Sequence, residues 1–233
     1  MSFRQKLQYH LVKKLGISNK DASNLILSSQ VKVNQNIVFE NIQIKPLDEI
    51  EILNQNNQIY DKKYYLILNK PVGIESTLNP DIENNLLPFL PQIKGLFHIG
   101  RLDKESEGLM LFSNEGKIHD KILRNKNQEV LKKYLVEVDS EIDEDFIAKM
   151  ESGIEILVTK TLPCKLQKLD SNSFYIWLNQ GLNRQIRRMC YKLGKDVIKL
   201  KRLKIGEIKL GELGPGKTRE LSHDEIQFLK TLF

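Results

Sequence analysis

Cysteine is nearly missing from this sequence: Cys164 and Cys190 are the only two in 233 residues. Two thiols cannot build the disulfide framework of a small secreted domain, and neither has a second Cys or a His at metal-ligand spacing. Both read as ordinary thiols, and no metal site is expected. Histidine is also scarce: His10, His98, His119 and His223 form no HxxxH or HExxH pair, so a zinc hydrolase loses its main support. A serine hydrolase of the α/β type would need a GxSxG elbow, and there is none. No apolar run approaches the ~20 residues of a membrane span. Tyr64-Tyr65-Leu66-Ile67-Leu68 is among the longest, and the mean hydropathy is -0.37. The opening Met1-Ser2-Phe3-Arg4-Gln5-Lys6 leads into a charged, periodic segment rather than an apolar core with a cleavage site. A cytoplasmic chain with no membrane partner is expected.

Charge is plentiful. Lys and Arg number 36 against 30 Asp and Glu, a net +6 that by itself is weak evidence of a polyanionic partner. Its distribution says more. Residues 182–204 hold nine basic side chains and the single acid Asp196, a local +8 exceeding that of the whole chain. Only eight of the 36 basic residues are Arg, yet three of these lie in Arg184-Gln185-Ile186-Arg187-Arg188. Forked guanidinium groups concentrated in this way suit bidentate phosphate or carboxylate partners.

Leucines at positions 7, 11 and 15, preceded by Phe3, draw one apolar stripe and predict a helix over 3–15, with Gly16 as its stop. Ser18 with Asp21 opens a second helix of about ten residues, burying Ala22, Leu25 and Ile26. The alternating pairs Val31/Val33, Ile42/Ile44 and Ile50/Ile52 read as short half-buried strands. Asn54-Gln55-Asn56-Asn57-Gln58 has no apolar side chain and marks a linker. These features divide the chain into a small domain at 1–56 and a larger one at 57–233. In the larger domain strands are expected over 64–69, 109–112, 133–138, 174–178 and 197–203. Helices are expected over 117–123, 143–150, 184–193 and 223–230, the last opened by the capping box from Ser222 to Glu225. The irregular order of elements gives an α+β fold on a mostly antiparallel sheet.

Two loops invite a functional reading. The segment from Gly211 to Thr218 matches G-x-x-x-x-G-K-[ST] literally, but no helix opens there and few residues follow, so it reads as a plain turn. The run Gly100-Arg101-Leu102-Asp103 through Gly116 sets a carboxylate in a polar loop, fenced by glycines and followed by an apolar strand. On residue chemistry alone Asp103 is either a surface acid paired with Arg101 or a catalytic group held at the end of a rigid element. Tyr134, equally, is an ordinary strand aromatic packed half into a core.

The second of these runs resembles the catalytic loop of pseudouridine synthases, in particular the RsuA/RluB/RluF branch that modifies ribosomal RNA. Three further segments agree: Asn69-Lys70-Pro71-Val72-Gly73-Ile74-Glu75-Ser76-Thr77, the Lys-x-Tyr-x-Val strand at 132–136, and Leu182-Asn183-Arg184-Gln185-Ile186-Arg187-Arg188-Met189-Cys190. The wording of this last run resembles the RluF type most. The first 50 residues are similar to the small αL RNA-binding module of that branch. They depart from it in having Ser18-Asn19-Lys20-Asp21 where an Arg-rich helix start is usual.

The resemblance implies the chemistry. Uridine becomes pseudouridine when the N1–C1′ bond breaks, the uracil turns, and C5 joins the same sugar carbon. No atoms are gained or lost, so no cofactor is needed. Carried over position by position, Asp103 is the essential carboxylate at the sugar, Arg187 its charged partner, and Tyr134 the ring that stacks on the extruded uracil and assists removal of the C5 proton. Lys70, Arg101, Asn183, Arg184, Arg188, Lys192 and Arg202 become RNA contacts. The implied partner is large-subunit ribosomal RNA or a pre-ribosomal particle, with transfer RNA an alternative substrate, and a monomer is the simplest state. Two competing readings are a non-catalytic ribosomal RNA binder and an N-glycosidase that releases the base by hydrolysis.

Overall fold

The structure, a computed structural model, describes residues 5–53, 63–116, 118 and 130–232. One compact unit comprises Met1–Tyr64 with Ile93–Leu96 and Asn114–Gly116, and another comprises Tyr65–Gln92, Phe97–Ser113 and Lys117–Phe233. The linker expected at 54–58, with the domain boundary placed in it, and most of the helix expected over 117–123 lie outside the described residues.

In the first unit, α1 (Leu7–Leu15) ends where Gly16 takes a left-handed φ of 65° and donates its N–H to the Val12 carbonyl. The helix begins later than the expected 3: Lys6 is extended and bridges Gln43, and Phe3 lies outside the described residues. The Ser18 hydroxyl accepts the Asp21 N–H and starts α2 (Asn19–Leu27), as its sequence predicts. β1 (Val31–Val33) pairs antiparallel with β2 (Asn36–Ile37) and β3 (Ile50–Ile52). The strand expected at Ile42/Ile44 is absent. The positive φ angles of Asn34 and Gln35 close a tight hairpin one turn earlier, so Asn36 and Ile37 take the pairing edge instead. Leu7, Leu11, Ala22, Leu25, Ile26, Val31, Val33 and Ile44 form this unit's own core.

The second unit is built on a nine-stranded sheet. In chain order its strands are β4 (Tyr65–Lys70), β5 (Phe97–Ile99), β6 (Glu107–Ser113), β7 (Lys132–Val138), β10 (Lys165–Lys168), β11 (Ser173–Leu178), β12 (Val197–Ile205), β13 (Ile208–Lys209) and β14 (Thr218–Glu220). The path runs β10-β11-β7-β12-β6-β4-β14, with β13 on β12 and β5 on β6. Every pair is antiparallel except β12 with β6. A separate hairpin joins β8 (Glu155–Ile156) to β9 (Thr159–Lys160). Helices α3 (Glu144–Ser152), α4 (Gln185–Lys192) and α5 (His223–Thr231) complete it, α5 opening on the expected capping box from Ser222 to Glu225. Beyond the Gly211–Thr218 loop the chain enters β14 rather than a helix, so there is no helix N-terminus to cradle a phosphate there.

Strand alternation decides which residues face the site. On β7 the side chains of Tyr134, Val136 and Val138 are buried while Lys133, Leu135 and Glu137 are partly exposed. Opposite Tyr134 and Val136 on β11 lie buried Ile176 and Phe174, with Phe146 of α3 edge-on to Phe174 at 5.7 Å, a contact worth about 1 kcal/mol beyond its area. A second cluster, including Ile67, Leu109, Leu111, Ile205, Leu221 and Leu229, anchors the other strands and α5.

Candidate active site

Asp103 sits half-buried in the loop between β5 and β6, at the first position of a turn closed by Ser106 N–H to the Asp103 carbonyl at 3.0 Å. The glycines that fence the loop are used as glycines: Gly100 has φ 76° and Gly108 φ 105°. No hydrogen bond or ion pair engages the Asp103 carboxylate among the described residues. Its backbone, in contrast, is held at every step. The Arg101 carbonyl accepts from Arg202 Nη1 at 3.4 Å, and Leu102 gives its N–H to Ser76 Oγ and takes that hydroxyl on its carbonyl, at 3.1 and 2.6 Å. The Lys104 carbonyl accepts from Gly73 N at 2.8 Å and the Glu105 carbonyl from Arg187 Nη2 at 3.0 Å. Five consecutive carbonyls, 101 to 105, are therefore fixed, four of them from other parts of the fold and that of Asp103 by Ser106 of its own turn. That leaves a carboxylate with a rigid base and an open end.

Cations surround it. Lys70, Arg184 and Arg187 all lie within electrostatic range of Asp103. Arg187, half-buried on α4, does not form the direct pair with Asp103 that the resemblance implies. Its guanidinium instead donates to the Val197 and Glu105 carbonyls at 2.8 and 3.0 Å, and burial pushes its pKa down. Its charge thus reaches Asp103 through space while its hydrogen bonds hold the loop. Arg184, at the N-cap of α4 with a left-handed φ of 49°, pairs with Glu105 at 2.8 Å; that bond holds the Glu105 carboxyl below its usual range. Tyr134 is 8% exposed and lies opposite Arg202 on β12, which in turn lies opposite Gly108 on β6. Tyr134 and the strand that follows the Asp103 loop are thereby joined through one intervening strand.

Two expected RNA contacts are corrected by their burial. Arg202 is 3% exposed, its Nε donating to the Leu109 carbonyl at 2.7 Å, and Lys70 is 0% exposed, its ammonium on the carbonyls of Pro71, Ile74 and, at 3.4 Å, Lys104. Neither is open to a phosphate. Arg101, Asn183, Arg184 and Lys192 are exposed, and half-buried Arg188 donates to the Asn183 carbonyl and side chain. Arg101 is not paired with Asp103, although the sequence left that bland reading open. Ser76 and Glu105 lie outside the site residues expected from the sequence: a Ser or Glu in a loop carries no sequence signal until the partner it folds onto is known. Among the described residues no group of His, Cys, Asp and Glu could hold a metal, and no helix is long and apolar enough to cross a membrane. Burial pushes both thiols up to about 12, which leaves Cys164 and Cys190 protonated and unreactive.

Comparison with known proteins identifies a family. Residues 64–192 match the RNA pseudouridylate synthase family. The chain is 40% identical over 214 residues to the dual-specificity RNA pseudouridine synthase RluF of Escherichia coli, covering 90% of this chain and 72% of that one. It is 31% identical over 226 residues to the ribosomal large subunit pseudouridine synthase B of Bacillus subtilis, covering 92% and 91%. A solved pseudouridylate synthase structure superposes with a TM-score of 0.69 at 30% identity, covering 96% of this chain and 99% of the other.

Proposed function

This chain belongs to the RNA pseudouridylate synthase family, and from that premise we propose that it isomerises a uridine of large-subunit ribosomal RNA, with Asp103 as the carboxylate that acts at the sugar. The observation that supports this reading is the contrast at Asp103: five fixed carbonyls in its loop, and a carboxylate that no described residue engages. A surface acid needs no such frame. The charges of Arg187, Arg184 and Lys70 lie within electrostatic range of this carboxylate. The carboxylate works either on C1′ directly or on the C2′ proton while the N1–C1′ bond breaks. Tyr134 offers its ring to the extruded uracil, offsetting part of the few kcal/mol that unstacking costs, and its hydroxyl serves to assist loss of the C5 proton. The solvent-facing Arg184, Arg188 and Lys192, with Arg101 and Asn183, supply contacts to the RNA backbone. The name of the Bacillus subtilis relative supports a large-subunit ribosomal RNA target and speaks against a non-catalytic binder.

Asp103→Asn keeps the side chain's shape and removes its charge. Purified native protein should convert uridine to pseudouridine in ribosomal RNA at constant RNA mass, while Asp103→Asn forms no product and binds the RNA within about threefold of native. Loss of a base from the RNA would identify an N-glycosidase instead, and undiminished turnover by Asp103→Asn would remove the residue from the chemistry.

A further inference from the structure

We propose that Arg202, which the charge count assigns to RNA, is a positioning residue that clasps both ends of the segment carrying Asp103 and ties it to the strand carrying Tyr134. The inference rests on the functional reading above.

Its guanidinium spans two carbonyls. Nε donates to Leu109 at 2.7 Å and Nη1 to Arg101 at 3.4 Å, so one rigid planar group grips the chain before Asp103 and again after the turn, where β6 begins. The same residue lies opposite Tyr134 on one side and Gly108 on the other. Gly108 makes the grip possible. A Cβ there would lie 2.3 Å from the Arg202 carbonyl oxygen, so only glycine lets the two backbones approach, at a φ of 105° that glycine alone adopts easily. A bulge in the β12 pairing between Arg202 and Lys204 re-aims the strand at this point.

Burial separates this role from a phosphate contact. Arg202 is 3% exposed, and its Nη2 is buried with no hydrogen-bond partner among the described residues. A buried charge held by neutral carbonyls costs stability, so a core built for stability alone would place an apolar side chain here. What a forked cation adds, and an apolar group cannot, is a fixed distance between two carbonyls that flank a reacting group. A displacement of about 1 Å at such a group costs roughly 100-fold in rate.

The test compares Arg202→Met and Arg202→Lys with native protein by amide hydrogen exchange, by RNA affinity at several salt concentrations, and by single-turnover conversion of ribosomal RNA at saturating enzyme. Lysine keeps the charge but cannot span both carbonyls, so it should fail to rescue. In both variants we expect faster exchange confined to residues 100–109, a turnover rate lower by roughly 100-fold, and RNA affinity within about threefold of native with an unchanged salt slope. Rescue by lysine, a salt slope smaller by about 0.7 to 1, or unaltered exchange over 100–109 would overturn the proposal. Loss of cooperative folding in both variants would overturn it too, because it would assign Arg202 to the core. If the native protein formed no pseudouridine, the functional reading would fall while the exchange comparison still decided the clasp.

Discussion

Lys70 shows how a single side chain can carry cost and use together. Burial pushes its ammonium from an ordinary 10.5 down to about 8, with the charges of Glu75 and Asp103 opposing the shift. The folded chain thus releases this proton before the unfolded chain does. Between pH 8 and 10.5 the unfolded state binds more protons, so stability must rise with pH across that window. Position 70 cannot titrate in Lys70→Met. The unfolding free energy of native minus variant, from denaturant curves, should therefore climb between pH 8 and 10.5 by up to about 3 kcal/mol; a flat difference would mean the amine is not buried as described. The two arginines of α4 should separate as clearly. Arg184 meets Glu105 with both side chains well exposed, so Arg184→Ala should cost no more than about 1 kcal/mol. Arg187→Ala leaves the Glu105 and Val197 carbonyls without their donor, so it should cost about 1 to 3 kcal/mol and also slow single turnover. Equal effects of the two substitutions in paired unfolding and rate measurements would contradict this division.

At the scale of elements, the sequence reveals what repeats and hides what depends on distant partners. Apolar runs rich in β-branched and aromatic residues mark the buried strands β4, β6, β7, β11 and β12 within a residue or two, and Ser18, Asp143 and Ser222 mark helix starts because a cap is a local hydrogen bond. The edge strand β10 escapes notice: of Lys165, Leu166, Gln167 and Lys168 only Leu166 is buried. The site divides in the same way. The loop of Asp103 announces itself by its glycines and its motif wording, but the inward turn of Arg202 is invisible, because charge counting sends arginine to the surface and its burial depends on Gly108 in another strand. Gly108→Ala should therefore act as an element-scale lesion. The strained φ and the 2.3 Å approach to the Arg202 carbonyl together predict a loss of about 2 to 5 kcal/mol, with faster exchange along β6 and β12. Gly214→Ala is the control, its new Cβ meeting only Lys217 at 3.8 Å, and should stay within about 0.5 kcal/mol of native.

At the scale of the whole molecule, the local +8 of residues 182–204 is not a single RNA-facing patch. Arg202 is internal and Arg187 holds the loop, while Arg184, Lys199 and Lys204 are paired with Glu105, Glu107 and Glu207. Arg188, Lys192, Lys195 and Lys201 have no acid partner among the described residues, so this region neutralises fewer phosphates than its composition suggests. The remaining affinity must be sought elsewhere, and the first unit is the candidate with its own core. Its residues 1–60 carry seven Lys and Arg against five acids, so its electrostatic share is small. Deleting residues 1–56 should leave a soluble, cooperatively folding chain, because the Asp103 loop, β7, α4 and β12, with the hydrogen bonds and strand pairings described for them, lie beyond the deletion. RNA affinity should fall by about 10-fold and the salt slope by about 1 to 2, the loss expected of a module making one or two phosphate contacts. The single-turnover rate at saturating enzyme should stay within about twofold of native, since no group assigned to the chemistry has been removed. Purified truncated and full-length proteins compared on one ribosomal RNA decide the matter. An insoluble fragment would place the domain boundary elsewhere, and a rate that fell at saturation would give the first unit a part in assembling the active site rather than in holding RNA.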